Sequence, residues 1–278
     1  MGKKELPPVP EALPVPAVDA HTHLDACGAT DADSVRAIVD RAEAAGVGRV
    51  VTVADDLDSA RWAVRAADWD ERVFAAVALH PTRTKDFDGA DRAVLAELVE
   101  HPRVVAVGET GLDYYWDFSP PEPQQEAFRW HIDLAKRSGK PLMIHDRDAH
   151  QDVLRILAEE GAPETVVFHC FSGDEEFARA CVAEGYVLSF AGTATFRNAA
   201  GVRAAAAVVP VEQMLVETDA PFLTPHPHRG RPNEPYCVNY TLRNLAELRG
   251  VSLEELTVAT SATAERVFRL DQVSPKAA

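Results

Sequence analysis

Short apolar runs recur along the chain, and between several of them lie longer stretches with a three-to-four-residue apolar period. The runs are AVDAH at 17–21, RVVTVA at 49–54, VFAAVAL at 73–79, VVAVGE at 104–109, PLMIH at 141–145, TVVFHC at 165–170, YVLSF at 186–190 and MLVETD at 214–219. They are Val-rich, short and apolar throughout, which predicts strands buried on both faces. Helices are predicted over 31–46, 120–140, 174–185 and 252–268. The first opens with acidic residues and closes at Gly46, the second opens on prolines and the third closes at Gly185. Eight strands alternating with helices over one stretch, 17–270, predict an α/β chain folded as a single-domain (β/α)8 TIM barrel. An open doubly wound sheet is the alternative, but no G-x-G-x-x-G follows the first strand. The Pro-dense segment 1–16 reads as an extended, poorly ordered lead-in, and 271–278 as a tail.

Chemistry concentrates where the predicted strands end. His21 and His23 follow the first run. In an extended chain, H-x-H presents both rings to one side. Glu109 ends the fourth run, His145 the fifth, His169 lies at the end of the sixth and Asp219 ends the eighth. In a barrel these ends meet at one face, where the active sites of that fold lie. Four imidazoles and two carboxylates suit Zn²⁺, Mn²⁺ or a related ion better than Ca²⁺, which prefers an all-oxygen shell. Six donors exceed what one tetrahedral ion with an open position needs. The reading is a site for two divalent ions (Mg, Mn or Zn). His21, His23 and Asp219 hold one, His145 and His169 the other, and Glu109 bridges them. Two ions about 4 Å apart can clamp the attacking and leaving oxygens of an in-line displacement, with Asp219 accepting the proton of the attacking water.

The net charge of −16 excludes a broad basic surface for gripping duplex nucleic acid. It leaves room for an anion held at a local cationic centre, because two carboxylates offset only part of the charge of two divalent ions. No apolar run reaches membrane-spanning length, and the N-terminus lacks the apolar segment of a signal peptide. The four cysteines, Cys27, Cys170, Cys181 and Cys237, form no C-x-x-C and no disulfide framework. Reduced thiols in a cytoplasmic monomer are expected.

Taken together, DAHTHLD, LHPTR, GETGLDYY, PLMIHDRDA, HCFSG, ETDAPFLTP and GRPNEP resemble the TatD family of metal-dependent hydrolases, within the amidohydrolase-type barrels. The resemblance runs from about Val18 to Phe268. It implies a divalent-metal site and phosphodiester hydrolysis, a DNase acting on DNA ends or single strands, often as a 3′–5′ exonuclease. By motif the ligands it implies are His21, His23, Glu109, His145, His169 and Asp219, and it gives Glu109 and Asp219 to catalysis as well. It adds His80, for proton transfer or substrate contact, against the plainer reading of a histidine capping the turn before Pro81. It adds Arg147 as a phosphate contact, against a salt bridge to Asp146 or Asp148. Arg231 and Asn233 are implied as substrate contacts, with Glu234 orienting their loop. Asp25 and Asp113 are partners that fix histidine tautomers, or turn residues. The chain departs from the family pattern at ALHP, at Thr110 and at His131, which reads as a buried, hydrogen-bonded histidine. Two other functions stay open. One is an amidase, esterase or deacylase on a small or aminoacyl substrate, although the fourth strand carries Glu109 where some such barrels place a lysine. The other is a non-enzymatic metal-holding scaffold.

Overall fold

In the computed structural model, which describes residues 5–273, each of the eight apolar runs forms a strand. They are β1 (Ala17–Thr22), β2 (Val47–Val53), β3 (Val73–Ala76), β4 (Val104–Asp113), β5 (Leu142–Arg147), β6 (Val166–Phe168), β7 (Val187–Phe190) and β8 (Met214–Val216). Neighbours in sequence pair in parallel, in the order β1 to β8. The ring closes where Thr22 bridges Ala220 and the Asp219 N–H donates to His21 O at 2.9 Å. The expected (β/α)8 barrel is the fold.

The four predicted helices are α1 (Ala32–Ala44), α4 (Pro121–Ser138), α6 (Glu175–Ala183) and α9 (Leu253–Phe268). Five more complete the outer layer: α2 (Leu57–Trp69), α3 (Gly89–Leu98), α5 (His150–Glu160), α7 (Ala200–Val208) and α8 (Val238–Arg249). Asp31, Asp56 and Asp88 each accept the backbone N–H three residues on, which satisfies donors that the first turn leaves unpaired. Val18, Val51, Phe74, Val105, Met143, Val167, Val187 and Leu215, one from each strand, form a single cluster that fills the barrel. Val267, Phe268 and Leu270 join that cluster from the C-terminal segment. There the Ser261 hydroxyl donates to Pro16 O and Thr263 to Val211 O, both ahead of a strand, so α9 plugs the N-terminal end. A second cluster fills the space between strands and helices.

Interior packing closes one end of the barrel and leaves the other for the site. In β1, Val18 and Ala20 belong to the inner cluster and Ala17 to the outer one, whereas Leu24, two residues past the strand and even-numbered like Val18, belongs to the outer one. The side-chain alternation therefore changes phase between Ala20 and Leu24. The pairing register with β2 shifts between Asp19 and Thr22, and that extra residue is what turns His21 and His23 inward. A matching shift in β4 falls between Val107 and Thr110, around Glu109.

Several strands stop earlier than their apolar runs, and two of these lead directly into proposed ligands. β6 ends at Phe168 and β8 at Val216. Beyond them Cys170 (φ 42°) and Asp219 (φ 51°) take left-handed backbone, which breaks the ladder and re-aims His169 and Asp219. Residues 5–16 of the proline-rich lead-in form no helix or strand, and hydrogen bonds from the C-terminal third of the chain pin them. Tyr236 Oη donates to Pro7 O, Tyr240 Oη to Pro8 O, and Asn239 Nδ2 and the Arg243 guanidinium to Glu11 O. Residues 1–4 of the lead-in and 274–278 of the tail lie outside the described residues.

Candidate metal centre

The strand ends deliver their donors to one point. Glu109 sits at its middle, 3% exposed, with its two carboxylate oxygens facing different histidine pairs. Oε1 is 3.5 Å from His21 Nε2 and 3.4 Å from His23 Nε2. Oε2 is 3.2 Å from His145 Nδ1 and 2.7 Å from His169 Nε2. Asp219 Oδ1 lies 3.7 Å and 3.4 Å from the same His21 and His23 nitrogens. The six residues expected as ligands are thus brought together around Glu109.

Each ring's outward nitrogen is occupied by another group. His23 Nδ1 meets Val53 O at 2.9 Å, and His21 Nδ1 meets Met143 Sδ at 3.1 Å. His145 Nε2 meets Asp113 Oδ2 at 2.9 Å, and His169 Nδ1 meets Glu217 Oε1 at 3.1 Å. Carbonyl and carboxylate partners accept only, so for His23, His145 and His169 the outward nitrogen carries the proton. Their inward nitrogens face Glu109 and Asp219 and present lone pairs to a cation once it displaces the protons they share with those carboxylates. Lone pairs and two carboxylates converging on one buried point suit a divalent cation, and this donor set fits the metal that the ligand chemistry implies. Among the described residues four overlapping groups could hold an ion: His21–His23–Asp219, His80–Glu109–His145, His21–His169–Glu217 and His23–Asp55–Glu109.

The electrostatics point the same way. Burial opposes charge on Glu109, but the neighbouring His169 and His21 and the hydrogen bond from His145 hold its carboxyl well below the usual range. Burial opposes charge on His23 as well, yet Asp219, Asp55 and Glu109 raise it to about 10. His169, buried between Glu109 and Glu217, is pushed well above its ordinary value against the cost of burial. The centre attracts positive charge. His80 behaves oppositely: burial and the adjacent His145 lower it to about 3, so its ring is neutral.

His80 caps the turn it precedes and also faces the centre. Its Nδ1 accepts the Thr82 N–H at 3.2 Å and so caps the turn at Pro81, while Nε2 faces the centre 3.3 Å from His145 Nδ1. Arg147 lines the same cavity, of about 610 Å³, and forms no salt bridge with Asp146 or Asp148. Asp146 Oδ2 instead meets His150 Nδ1 at 2.6 Å, and the Arg147 guanidinium lies 3.8 Å over the Tyr115 ring. Asp113 is the expected partner of a ligand histidine. Asp25 is not: it lies in the turn after β1, and its carbonyl receives the Gly28 N–H.

Two expected substrate contacts lie elsewhere. Arg231 is exposed and points its guanidinium at Leu6 O, 3.4 Å away, outside the cavity lining. Asn233 is buried, and its Nδ2 donates to Thr218 O and Phe222 O. It braces the loop after β8 instead of facing a ligand. Glu234 holds that loop to α1 through a two-pronged pair with Arg41 at 2.8 and 2.9 Å. His131 is buried as expected, accepting the Leu79 N–H at Nε2 and meeting Ala127 O at Nδ1. Three residues at the centre or on the cavity wall escaped the sequence reading. Glu217 sits two residues before Asp219 in the ETD run. Asp55, 3.8 Å from His23 Nδ1, follows β2 as the other acids follow their strands. Arg83 lies in the LHPTR motif and lines the cavity.

Residues 18–269 match the family described as TatD related DNase. The chain belongs to the TatD family. It is 62% identical over 258 residues to the uncharacterized metal-dependent hydrolase TatD of Mycobacterium tuberculosis, covering 91% of this chain and 98% of that one. The 3′-5′ ssDNA/RNA exonuclease TatD of Erwinia tasmaniensis is 34% identical over 241 residues, covering 84% and 93%. Among solved structures, the TatD homologue YJJV of Escherichia coli k12 superimposes with a TM-score of 0.85 at 30% identity, covering 91% and 98%. This TatD-family chain is a metal-dependent hydrolase. No helix among its described residues is long and apolar enough to cross a membrane, and its four cysteines are free.

Proposed function

We propose that this enzyme is a divalent-metal-dependent phosphodiesterase that shortens single-stranded DNA or RNA from the 3′ end. The observation that carries the reading is Glu109, whose two oxygens face separate histidine pairs in one buried centre. His21, His23 and Asp219 would hold one ion, His145 and His169 a second, with Glu109 shared. When bound, such ions polarise a phosphoryl group and lower the pKa of water. The protein's own groups do the rest. Asp219 stays anionic, because the hydrogen bond with His23 and the charge of His169 outweigh its burial, and it accepts the proton of the attacking water. His80 accepts at Nδ1, so its neutral ring carries its proton on Nε2, aimed into the cavity as a donor to a phosphoryl or leaving oxygen. Arg147 meets the substrate phosphate with a guanidinium that no carboxylate among the described residues neutralises. The name of the Erwinia relative supports a single-stranded nucleic-acid substrate.

The test follows a 5′-labelled oligonucleotide with chelated protein and after Mg²⁺, Mn²⁺ or Zn²⁺ is restored. A metal-dependent ladder shortening from the 3′ end is expected. Intact oligonucleotide alongside cleavage of an amide or ester panel would move the activity to an acyl substrate.

A further inference from the structure

The mouth of the cavity is unusually aromatic. Among the described residues four aromatic side chains are exposed: Tyr115, Trp116, Phe118 and Phe222, at 55%, 45%, 63% and 55%. Trp116, Phe118 and Phe222 line the cavity, and Tyr115 stands edge-on to Trp116 at 4.9 Å. Trp116 and Phe118 lie nearly parallel, 19° apart with centroids separated by 5.4 Å. A cluster of exposed rings at the rim of an active-site cavity marks a binding surface.

These rings are not on a loose loop. Asp113 Oδ1 accepts the N–H groups of Tyr115 and Trp116 at 3.0 and 2.9 Å. Gln124, buried, clamps both ends of the loop: its Oε1 accepts the Asp113 N–H and its Nε2 donates to Asp113 O and Ser119 O. Asp113 Oδ2 in turn meets His145, so one carboxylate ties the aromatic loop to the metal centre. Ser119 Oγ bonds Thr84 Oγ1 at 2.8 Å, which fixes the neighbouring turn that carries Arg83. Arg83 is exposed on the cavity wall, and neither it nor Arg147 has a carboxylate partner among the described residues. Flat apolar faces beside two unneutralised guanidinium groups match a chain of bases linked by phosphates. In a duplex the base faces are already covered, so only an unpaired strand can use such a wall.

We propose that Trp116, Phe118 and Phe222 form a base-stacking wall, flanked by Arg83 and Arg147 as phosphate contacts, that selects an unpaired strand end at the active site. This rests on the nucleic-acid reading above and adds the means by which the enzyme recognises its substrate.

The experiment uses metal-loaded enzyme with three substrates: a single-stranded oligonucleotide, the same strand with abasic sites near its 3′ end, and methyl p-nitrophenyl phosphate. Stacking contributes enough per base that Trp116→Ala/Phe118→Ala raises KM for the oligonucleotide at least roughly fivefold more than for the small diester. Wild type and variant treat the abasic strand alike, and Trp116→Tyr restores most of the affinity. Arg83→Ala lessens the slope of log KM against log salt by roughly 0.7, one phosphate contact on a single strand. If the oligonucleotide is cleaved but the aromatic double variant keeps its KM, the stacking wall is wrong while the nuclease reading stands. If the small diester is cleaved and both strands stay intact, the nucleic-acid reading fails and the wall with it.

Discussion

Replacing Gly111 by alanine tests whether the β4–β5 pairing is what positions the metal centre. Gly111 lies two residues past Glu109 and pairs with His145. Its φ is +138°, a conformation that L side chains rarely adopt. A Cβ added there would stand 2.2 Å from His145 O and 3.1 Å from Ile144 Cγ2. The backbone strain costs roughly 1–3 kcal/mol. The carbonyl is backbone and cannot swing away as a side-chain tip would, so the two strands must part by about 1 Å, which costs about as much as overpacking a core, roughly 1–3 kcal/mol. The total, around 4 kcal/mol, is a large share of the 5–15 kcal/mol that stabilises an ordinary domain. Denaturant unfolding of Gly111→Ala and wild type, both stripped of metal by chelation, isolates this cost from any stabilisation by bound ions. The midpoint should fall sharply, and reloaded variant should retain less metal because His145 has moved. A stability change under roughly 1 kcal/mol would refute the steric argument.

Four further outcomes concern residues outside the proposed ligand set. His131 is fully buried and lowered by that burial to about 4 from 6.5, so the folded state binds fewer protons than the unfolded one. Its contribution of roughly 3 kcal/mol is complete above pH 6.5 and is lost as pH falls through 4, and His131→Gln should flatten the stability profile in that window relative to wild type. Parallel profiles would show that the ring is not desolvated. Glu217→Gln removes the charge that orients His169 and should weaken metal affinity 10- to 100-fold in a chelator competition, with unchanged affinity arguing against an orienting role. Asn233→Ala leaves Thr218 O and Phe222 O without their donor and should lower stability by roughly 1–3 kcal/mol. Arg231→Ala, at the surface, should stay within roughly 0.5 kcal/mol, both variants being read by the same denaturant unfolding.

The strands were legible because residues buried on both faces of a parallel sheet must be apolar throughout, and each such run stands out between polar helix faces. Their C-terminal ends were less so. β6 and β8 stop where His169 and Asp219 are turned toward the centre, and Cys170 and Asp219 take positive φ that no local pattern announces. The donors themselves were readable, since a histidine or acid after an apolar run has few structural reasons to be there. Glu217 was hidden because it reads as one more strand residue, and Asp55 because it sits beside a second acid that caps α2. Arg231 and Asn233 follow β8 closely in sequence, but the loop carries them away from the cavity. The anchoring of the lead-in depends on Tyr236, Asn239, Tyr240 and Arg243, more than 200 residues along the chain, and contacts that distant leave no local signal.

The central claim is that Glu109 joins two divalent ions in one hydrolytic centre. Metal content per chain, measured by mass spectrometry on wild type and Glu109→Ala after reloading and desalting, tests it most directly, with oligonucleotide cleavage followed on the same samples. Two ions in wild type, loss of metal in the variant and loss of cleavage with it is the predicted result. Full metal retention by a folded Glu109→Ala protein, or a single ion in fully active wild type, would contradict it.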